Sequence, residues 1–304
     1  MSSHDYRTVD VPVEGGALRV GVWEPIGEHT ADVLMIHGVT SSHLAFPFVA
    51  RHLPGVRVIA PDLRGRGRSS EVEGPAGMDA HARDMGAVLD HFAIDRLVVV
   101  GHSMGGFVAV VTAHHHSDRV TKLVLIDGGI PFDVPAQIPP DDLVAALLGP
   151  TAERLSMRFA DEDAYLALWR EHPAFVADWT DELEDYVRYD LVPDGDQLRP
   201  ATRYDVVVHD TADLATGSAI RDALAALHHP TRLVTVWKGL VNERPGLYAP
   251  EYLERALPLL PTVTHERIDR FNHYTIVLSP AGGALMAQVI GTEIDAAAQE
   301  GTQK

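Results

Sequence analysis

Residues 97–106 read LVVVGHSMGG, which places Ser103 in a Gly-x-Ser-x-Gly pentapeptide between an apolar run and a helical pattern. A serine hydroxyl is a weak nucleophile unless the fold presents it. A sharp strand-to-helix turn does this by forcing the serine into a strained backbone conformation, and the glycines at 101 and 105 remove side chains that would clash there. The hydroxyl then stands at a helix N-terminus, where free N–H groups and the helix dipole favour developing negative charge. The bland alternative is a chance pentapeptide in a glycine-bearing turn. The strand–turn–helix context favours the nucleophile.

A second motif bears on the same chemistry. His37-Gly38-Val39 follows the apolar run Val33–Ile36. In this position the N–H of Val39 can bind an oxyanion together with the N–H of the residue after the nucleophile, Met104; otherwise the segment is an ordinary strand-end turn. The loop Asp62–Ser69 (DLRGRGRS) has two glycines after a strand but lacks a Gly-Lys-Ser/Thr ending, and no Gly-x-Gly-x-x-Gly is present, so it reads as a structural turn. His114, His115 and His116 are adjacent and would point about 100° apart on a helix, so one face cannot direct them at one ion. A solvated helix end accounts for them better than a metal site, and His228-His229-Pro230 reads as a turn. The chain has no cysteine, which excludes a thiol nucleophile, a cysteine zinc site and a disulfide framework. No cofactor and no metal is implied.

These residues need a scaffold. Val33–His37, Val56–Ala60, Leu97–Val100 and Leu123–Ile126 read as strands, separated by helical patterns at 45–52, 79–92 and 103–115. Strand and helix in alternation imply a parallel sheet with crossovers, and the continuously apolar strands imply burial on both faces. The rhythm breaks from Pro131 to about His229, where no convincing parallel strand appears and helix-like segments carry Asp, Glu, Trp and Tyr. It resumes at Arg232–Trp237 and Val263–Ile268, and Pro280–Ala298 closes as a helix. The expected organisation is a sheet domain in two pieces, 1–130 and 230–304, with a helical cap inserted at 131–229, roughly a hundred residues.

The strand–His-Gly loop, the Asp62–Ser69 loop and the GHSMGG elbow together resemble the α/β-hydrolase superfamily. The resemblance covers roughly residues 17–130 and 230–295. It implies an α/β fold, with a mostly parallel central sheet flanked by helices and a helical cap at the insertion. It also implies a histidine base after the last strand, where Arg270-Phe271-Asn272-His273-Tyr274 follows Val263–Ile268; this points to His273, with His265 as a rival inside the strand pattern. In most relatives the acid follows the preceding strand, a few residues after a glycine. Here that slot holds Asn242, and an amide cannot stabilise an imidazolium. Two carboxylates remain. Asp127 ends the strand after the nucleophile helix, a position from which haloalkane dehalogenases and fungal zearalenone lactonases take their acid. Glu243 lies one residue past the usual slot. Asp127 is favoured because a strand end is more rigid than a loop, although an aspartate there is also common as a plain turn cap. The serine at the elbow argues against the dehalogenase and epoxide-hydrolase branches, which use an aspartate nucleophile.

The expected function is therefore a serine hydrolase cleaving a carboxylic ester or lactone. A carbon–carbon bond hydrolase, a perhydrolase or an amidase or aminopeptidase would use the same residues. An alternative of another class is a non-catalytic hydrolase-fold receptor for a small molecule. Six aromatic residues of the insertion (Tyr165, Trp169, Phe175, Trp179, Tyr186 and Tyr189) are expected mostly to pack the cap on the core, with one or two facing the pocket.

Composition limits the partners. The 304 residues carry 25 Lys+Arg against 43 Asp+Glu, a formal charge of −18. No basic stripe suited to a polyphosphate backbone is visible, so a nucleic-acid partner is not expected, and the same charge disfavours an anionic membrane surface. A small-molecule substrate, neutral and partly apolar, is expected. The sequence begins with no basic region followed by an apolar one, and no apolar run approaches a membrane span, so the expected location is cytoplasmic. Residues 161–196 contain 12 Asp+Glu and only Arg170 and Arg188, which gives −10 of the total. This acidity reads as a solvated outer face, or as a lid that disfavours anionic substrates.

Overall fold

The computed structural model describes residues 3–133 and 149–301. Among these, eight strands form one sheet in the order β1-β2-β4-β3-β5-β6-β9-β10. The strands are β1 (His4–Val13), β2 (Gly16–Pro25), β3 (Ala31–Ile36), β4 (Val56–Pro61), β5 (Leu97–His102), β6 (Val120–Ile126), β9 (Thr231–Lys238) and β10 (Val263–Asn272). From β4 to β10 every pairing is parallel. The N-terminal β1–β2 hairpin adds two antiparallel strands at one edge.

The apolar runs are continuous because both sheet faces are covered. Alternate residues divide between two cores. Val33, Met35, Val98, Val100, Val124, Ile126, Val234 and Val236 face one side, where they meet α1 (Pro47–Ala50) and α10 (Pro280–Gly301). Leu34, Ile36, Leu97, Val99, Leu123, Leu125 and Leu233 face the other, against α2 (Met78–His91) and α3 (Met104–His115). This period of two on a doubly buried sheet is what a parallel α/β core requires. The helical pattern at 45–52 is realised only in part, as a 3₁₀ turn at His43–Ala45 followed by α1, which starts on Pro47.

The chain leaves the sheet after β6 and returns as β9, and these two strands are direct neighbours, with Leu123 opposite Thr231. The inserted segment holds α4 (Pro150–Arg154), α5 (Glu162–Arg170), α6 (Asp181–Tyr189), α7 (Tyr204–Thr216) and α8 (Ser218–Ala225). Asp161 and Thr180 cap α5 and α6, accepting from the N–H groups of Ala164 and Leu183. The segment is not wholly helical: β7 (Leu191–Asp194) and β8 (Gln197–Pro200) form an antiparallel hairpin around Gly195. Residues 134–148, which the sequence reading assigns to the cap, lie outside the described residues. Between β9 and β10 lies α9 (Pro250–Ala256), followed by a 3₁₀ turn at Leu257–Leu259. Among the described residues no helix is long and apolar enough to cross a membrane.

Candidate active site

Ser103 links β5 to α3 with φ 56° and ψ −126°. For a non-glycine residue this is a strained conformation, over-determined here by its surroundings. The Ser103 N–H donates to the Ile126 carbonyl at 2.9 Å, and the Ser103 carbonyl accepts from the Gly106 N–H at 2.9 Å. Close packing explains the two glycines of the pentapeptide. A methyl group on Gly101 would stand 2.1 Å from the Gly105 carbonyl oxygen, and one on Gly105 would stand 2.0 Å from that of Ile36.

His273 follows β10 directly. Its Nδ1–H donates to Asp127 Oδ2 at 2.6 Å, and both side chains are buried. This bond fixes the tautomer and leaves Nε2 with a free lone pair. Asp127 sits at the end of β6 with φ 46°. Its N–H donates to the Val234 carbonyl at 2.7 Å, and its second oxygen accepts from the Val236 N–H at 3.2 Å. The His273 backbone is held on both sides: its N–H donates to the Lys238 carbonyl, and its carbonyl accepts from His102 Nε2 at 2.8 Å. Burial pushes His102 down to about 3, with the neighbouring His273 contributing, so His102 is a neutral donor.

Glu243 is elsewhere. It is exposed, and its carboxylate turns back on its own loop to accept from the Val241 N–H at 2.7 Å. Asn242 has φ 66° and its side-chain oxygen lies 3.4 Å from Asn272 Nδ2. Of the two sequence candidates, Asp127 is the carboxylate brought to His273. His265 stays within β10, bonded to Thr235 Oγ1 at 2.8 Å. His115 pairs with Asp79 and His116 with the Ala82 carbonyl.

Val39 and Met104 line the same cleft as Ser103 and His273. The peptide that carries the Val39 N–H also carries the Gly38 carbonyl. His37 Nδ1–H donates to that carbonyl at 2.7 Å, and Nε2 of the same ring accepts from the Leu63 N–H at 2.9 Å. Burial pushes His37 down to about 4, partly offset by Asp62, so the ring is neutral and can donate on one side while accepting on the other. Because the peptide unit is planar, fixing the Gly38 carbonyl also aims the Val39 N–H. Asn272 plays a comparable part beside His273. Its amide oxygen accepts from the N–H groups of Tyr274 and Thr275, and its Nδ2 donates to the Ala174 carbonyl of the inserted segment.

The cleft has about 760 Å³ of empty space, its open mouth included. Phe132, Leu214, Leu240, Leu247 and Leu278 supply its apolar walls. Ser41, Tyr186, Thr151 and Tyr274 supply hydroxyls; Tyr186 donates to Ser41 at 3.1 Å. Among the described residues none of its lining is Asp, Glu, Lys or Arg. Of the six insertion aromatics only Tyr186 lines it, while Tyr165, Trp169 and Phe175 are buried in the core. Tyr189 instead donates to Asp62 Oδ2 at 2.7 Å. The carboxylates of 161–196 lie outside the lining, and several meet arginines, as Glu182 meets Arg51 and Glu184 meets Arg170.

The Asp62–Ser69 loop is a scaffold. Asp62 is fully buried and accepts from the His43 and Arg68 N–H groups and from His43 Nδ1, each at 2.8 Å. Burial opposes its charge, but His43 and His37 together hold it down at about 2. Arg64 grips Asp84 with two 2.7 Å bonds. Sequence reasoning missed Arg66, which is wholly buried and reaches the Val39 carbonyl.

Parts of the chain are similar to known proteins. Over 103 residues the chain is 43% identical to "Lipase LipV" of Mycobacterium tuberculosis, a match covering 34% of this chain and 39% of that protein. It is 42% identical over 90 residues to "Bifunctional esterase/perhydrolase DCH" of Acinetobacter calcoaceticus, covering 29% and 33%. The matches thus span about two fifths or less of these relatives' length. The crystal structure of E-2-(acetamidomethylene)succinate hydrolase superposes with a TM-score of 0.76 at 21% identity, over 96% of this chain and 100% of that one, and shares its fold. Residues 33–189, just over half of the chain, match the sequence profile of the alpha/beta hydrolase fold, and the chain belongs to that family.

Proposed function

We propose that the protein is a serine hydrolase that cleaves a carboxylic ester or lactone through an acyl-enzyme on Ser103. One observation carries the reading: His273, bonded through Nδ1 to the buried Asp127 at 2.6 Å, lines the same cleft as the strained Ser103. His273 takes the Ser103 proton as the hydroxyl oxygen attacks the carbonyl carbon. The carbonyl oxygen becomes an oxyanion held by the N–H groups of Val39 and Met104. Collapse breaks the bond to the alcohol, which leaves with the proton from His273. Water then loses a proton to His273, attacks the acyl carbon and returns the hydroxyl to Ser103. Asp127 stabilises the imidazolium at both stages and holds its tautomer.

The uncharged lining supports a neutral substrate with a substantial apolar part, and the inserted segment acts as the cap over it. The same acyl-enzyme can pass its acyl group to hydrogen peroxide, giving a peracid and free Ser103. The likeness to a protein named as an esterase/perhydrolase supports this second reaction.

A panel of p-nitrophenyl esters of rising chain length, several lactones, and acetate with hydrogen peroxide tests the reading. Turnover that vanishes in Ser103→Ala is expected. No turnover and no fluorophosphonate labelling of Ser103, with tight binding of a small molecule, would make the protein a receptor.

A further inference from the structure

Among the fully buried side chains of the described residues Arg66 is the largest. A guanidinium cannot shed its charge, so its burial demands a counter-ion and partners for its donors. Arg66 Nε donates to the Val39 carbonyl at 2.9 Å, and Nη2 lies 3.7 Å from Met104 Sδ. Nη1 donates to the Arg64 carbonyl at 3.0 Å and pairs with Asp210 Oδ2 at 2.5 Å. One side chain therefore touches both Val39 and Met104, which line the cleft beside Ser103.

Its counter-ion comes from the inserted segment. Asp210 lies on α7 and is also fully buried. Its other oxygen accepts from the Gly77 N–H at 2.7 Å, and His81 Nε2 lies 3.1 Å from both oxygens. Burial alone would favour the neutral acid, but Arg66 first and His81 second hold Asp210 well below the usual carboxylate range.

We propose that Arg66 is a positioning residue for the oxyanion hole and that Asp210 holds it in place, so that docking of the inserted segment steadies the backbone that carries the Val39 N–H. This rests on the reading that Val39 and Met104 hold an oxyanion. The geometry supplies the reason. His37 anchors the peptide before Val39, and Arg66 anchors the peptide after it. With both planes fixed, the torsions of Val39 have no freedom left. Without Arg66 the second plane can turn, and the plane that carries the Val39 N–H is held by His37 alone. The cost falls on the transition state, where the negative oxygen exists, more than on bound substrate.

The test uses the full chain as wild type, Asp210→Asn, and the double variant Arg66→Met with Asp210→Asn, which removes the buried pair together and leaves no lone charge. The kcat and KM for one p-nitrophenyl ester are measured beside the inhibition constant of a trifluoromethyl ketone, whose serine adduct carries an oxyanion. In the folded double variant kcat should fall about 10- to 100-fold, with ketone affinity falling in parallel and KM changing less than about threefold. If the double variant does not fold, Asp210→Asn, which keeps an acceptor for Gly77, should still lower kcat several-fold at constant KM. Unchanged kcat and ketone affinity in a folded variant overturn the proposal, as does activity lost only in proportion to the unfolded fraction. A wild type that neither turns over esters nor labels at Ser103 overturns the hydrolase reading instead, and this proposal with it.

Discussion

Asp127 Oδ2 and His273 Nδ1 are 2.6 Å apart although 146 residues separate them in the chain. Each ends a different strand, and the ladder β6–β9–β10 sets their distance. Asp127→Asn keeps an acceptor for the Val236 N–H but cannot neutralise an imidazolium. It should lower kcat on an ester by about 10⁴, whereas Glu243→Gln should stay within about twofold. A collapse in Glu243→Gln alone would reverse the assignment of the acid.

The elbow tolerates no added carbon. Gly105→Ala places a methyl group 2.0 Å from the Ile36 carbonyl oxygen, against backbone rather than a yielding side chain. Overpacking of this kind costs about 1–3 kcal/mol or more. Urea unfolding should show a lower midpoint with an unchanged slope, and fluorophosphonate labelling of Ser103 should slow because the turn has shifted.

Acid should weaken the fold through His37 and His102. Both are neutral when buried, at about 4 and about 3, and titrate near 6.5 when unfolded. Between those values the unfolded chain binds more protons than the folded one, so stability falls as pH drops from about 6.5 toward 4 and is fully present above 6.5. His37→Asn should be less stable at pH 7, yet its melting temperature should depend less steeply on pH across that window. An equally steep dependence would show that His37 contributes nothing to it.

The apolar walls should set chain-length preference. Leu247→Trp fills part of the cleft beside Phe132, which packs on Phe107 and Tyr248. The ratio of kcat/KM for an octanoate to that for an acetate ester should fall about tenfold or more, with the acetate value nearly unchanged. A ratio that does not move would place the acyl chain elsewhere.

The elbow was legible in the sequence because strand, turn and helix occupy ten consecutive residues, and each glycine there answers a local clash. The doubly wound core was legible for a similar reason, since burial on both faces leaves continuous apolar strands. The choice between Asp127 and Glu243 was not, because it depends on the path of a loop: Glu243 spends its carboxylate on the Val241 N–H two residues away. The hairpin β7–β8 escaped a reading that sought parallel strands, being four residues a side and half exposed. Arg66 escaped because its partners are scattered, with Val39 27 positions before it and Met104 38 after it. An arginine between two glycines looks like a solvated turn until the fold closes over it.

Insertion between adjacent strands makes the inserted segment look exchangeable, since its removal would leave every ladder of the sheet intact. Asp210 restricts that freedom. A grafted segment without a carboxylate at this point would strand the Arg66 charge in the interior, and breaking a buried pair from one side costs about 3–5 kcal/mol. Chimeras that exchange this segment therefore inherit a single-residue compatibility rule: carry an acid to Arg66, or replace the arginine too.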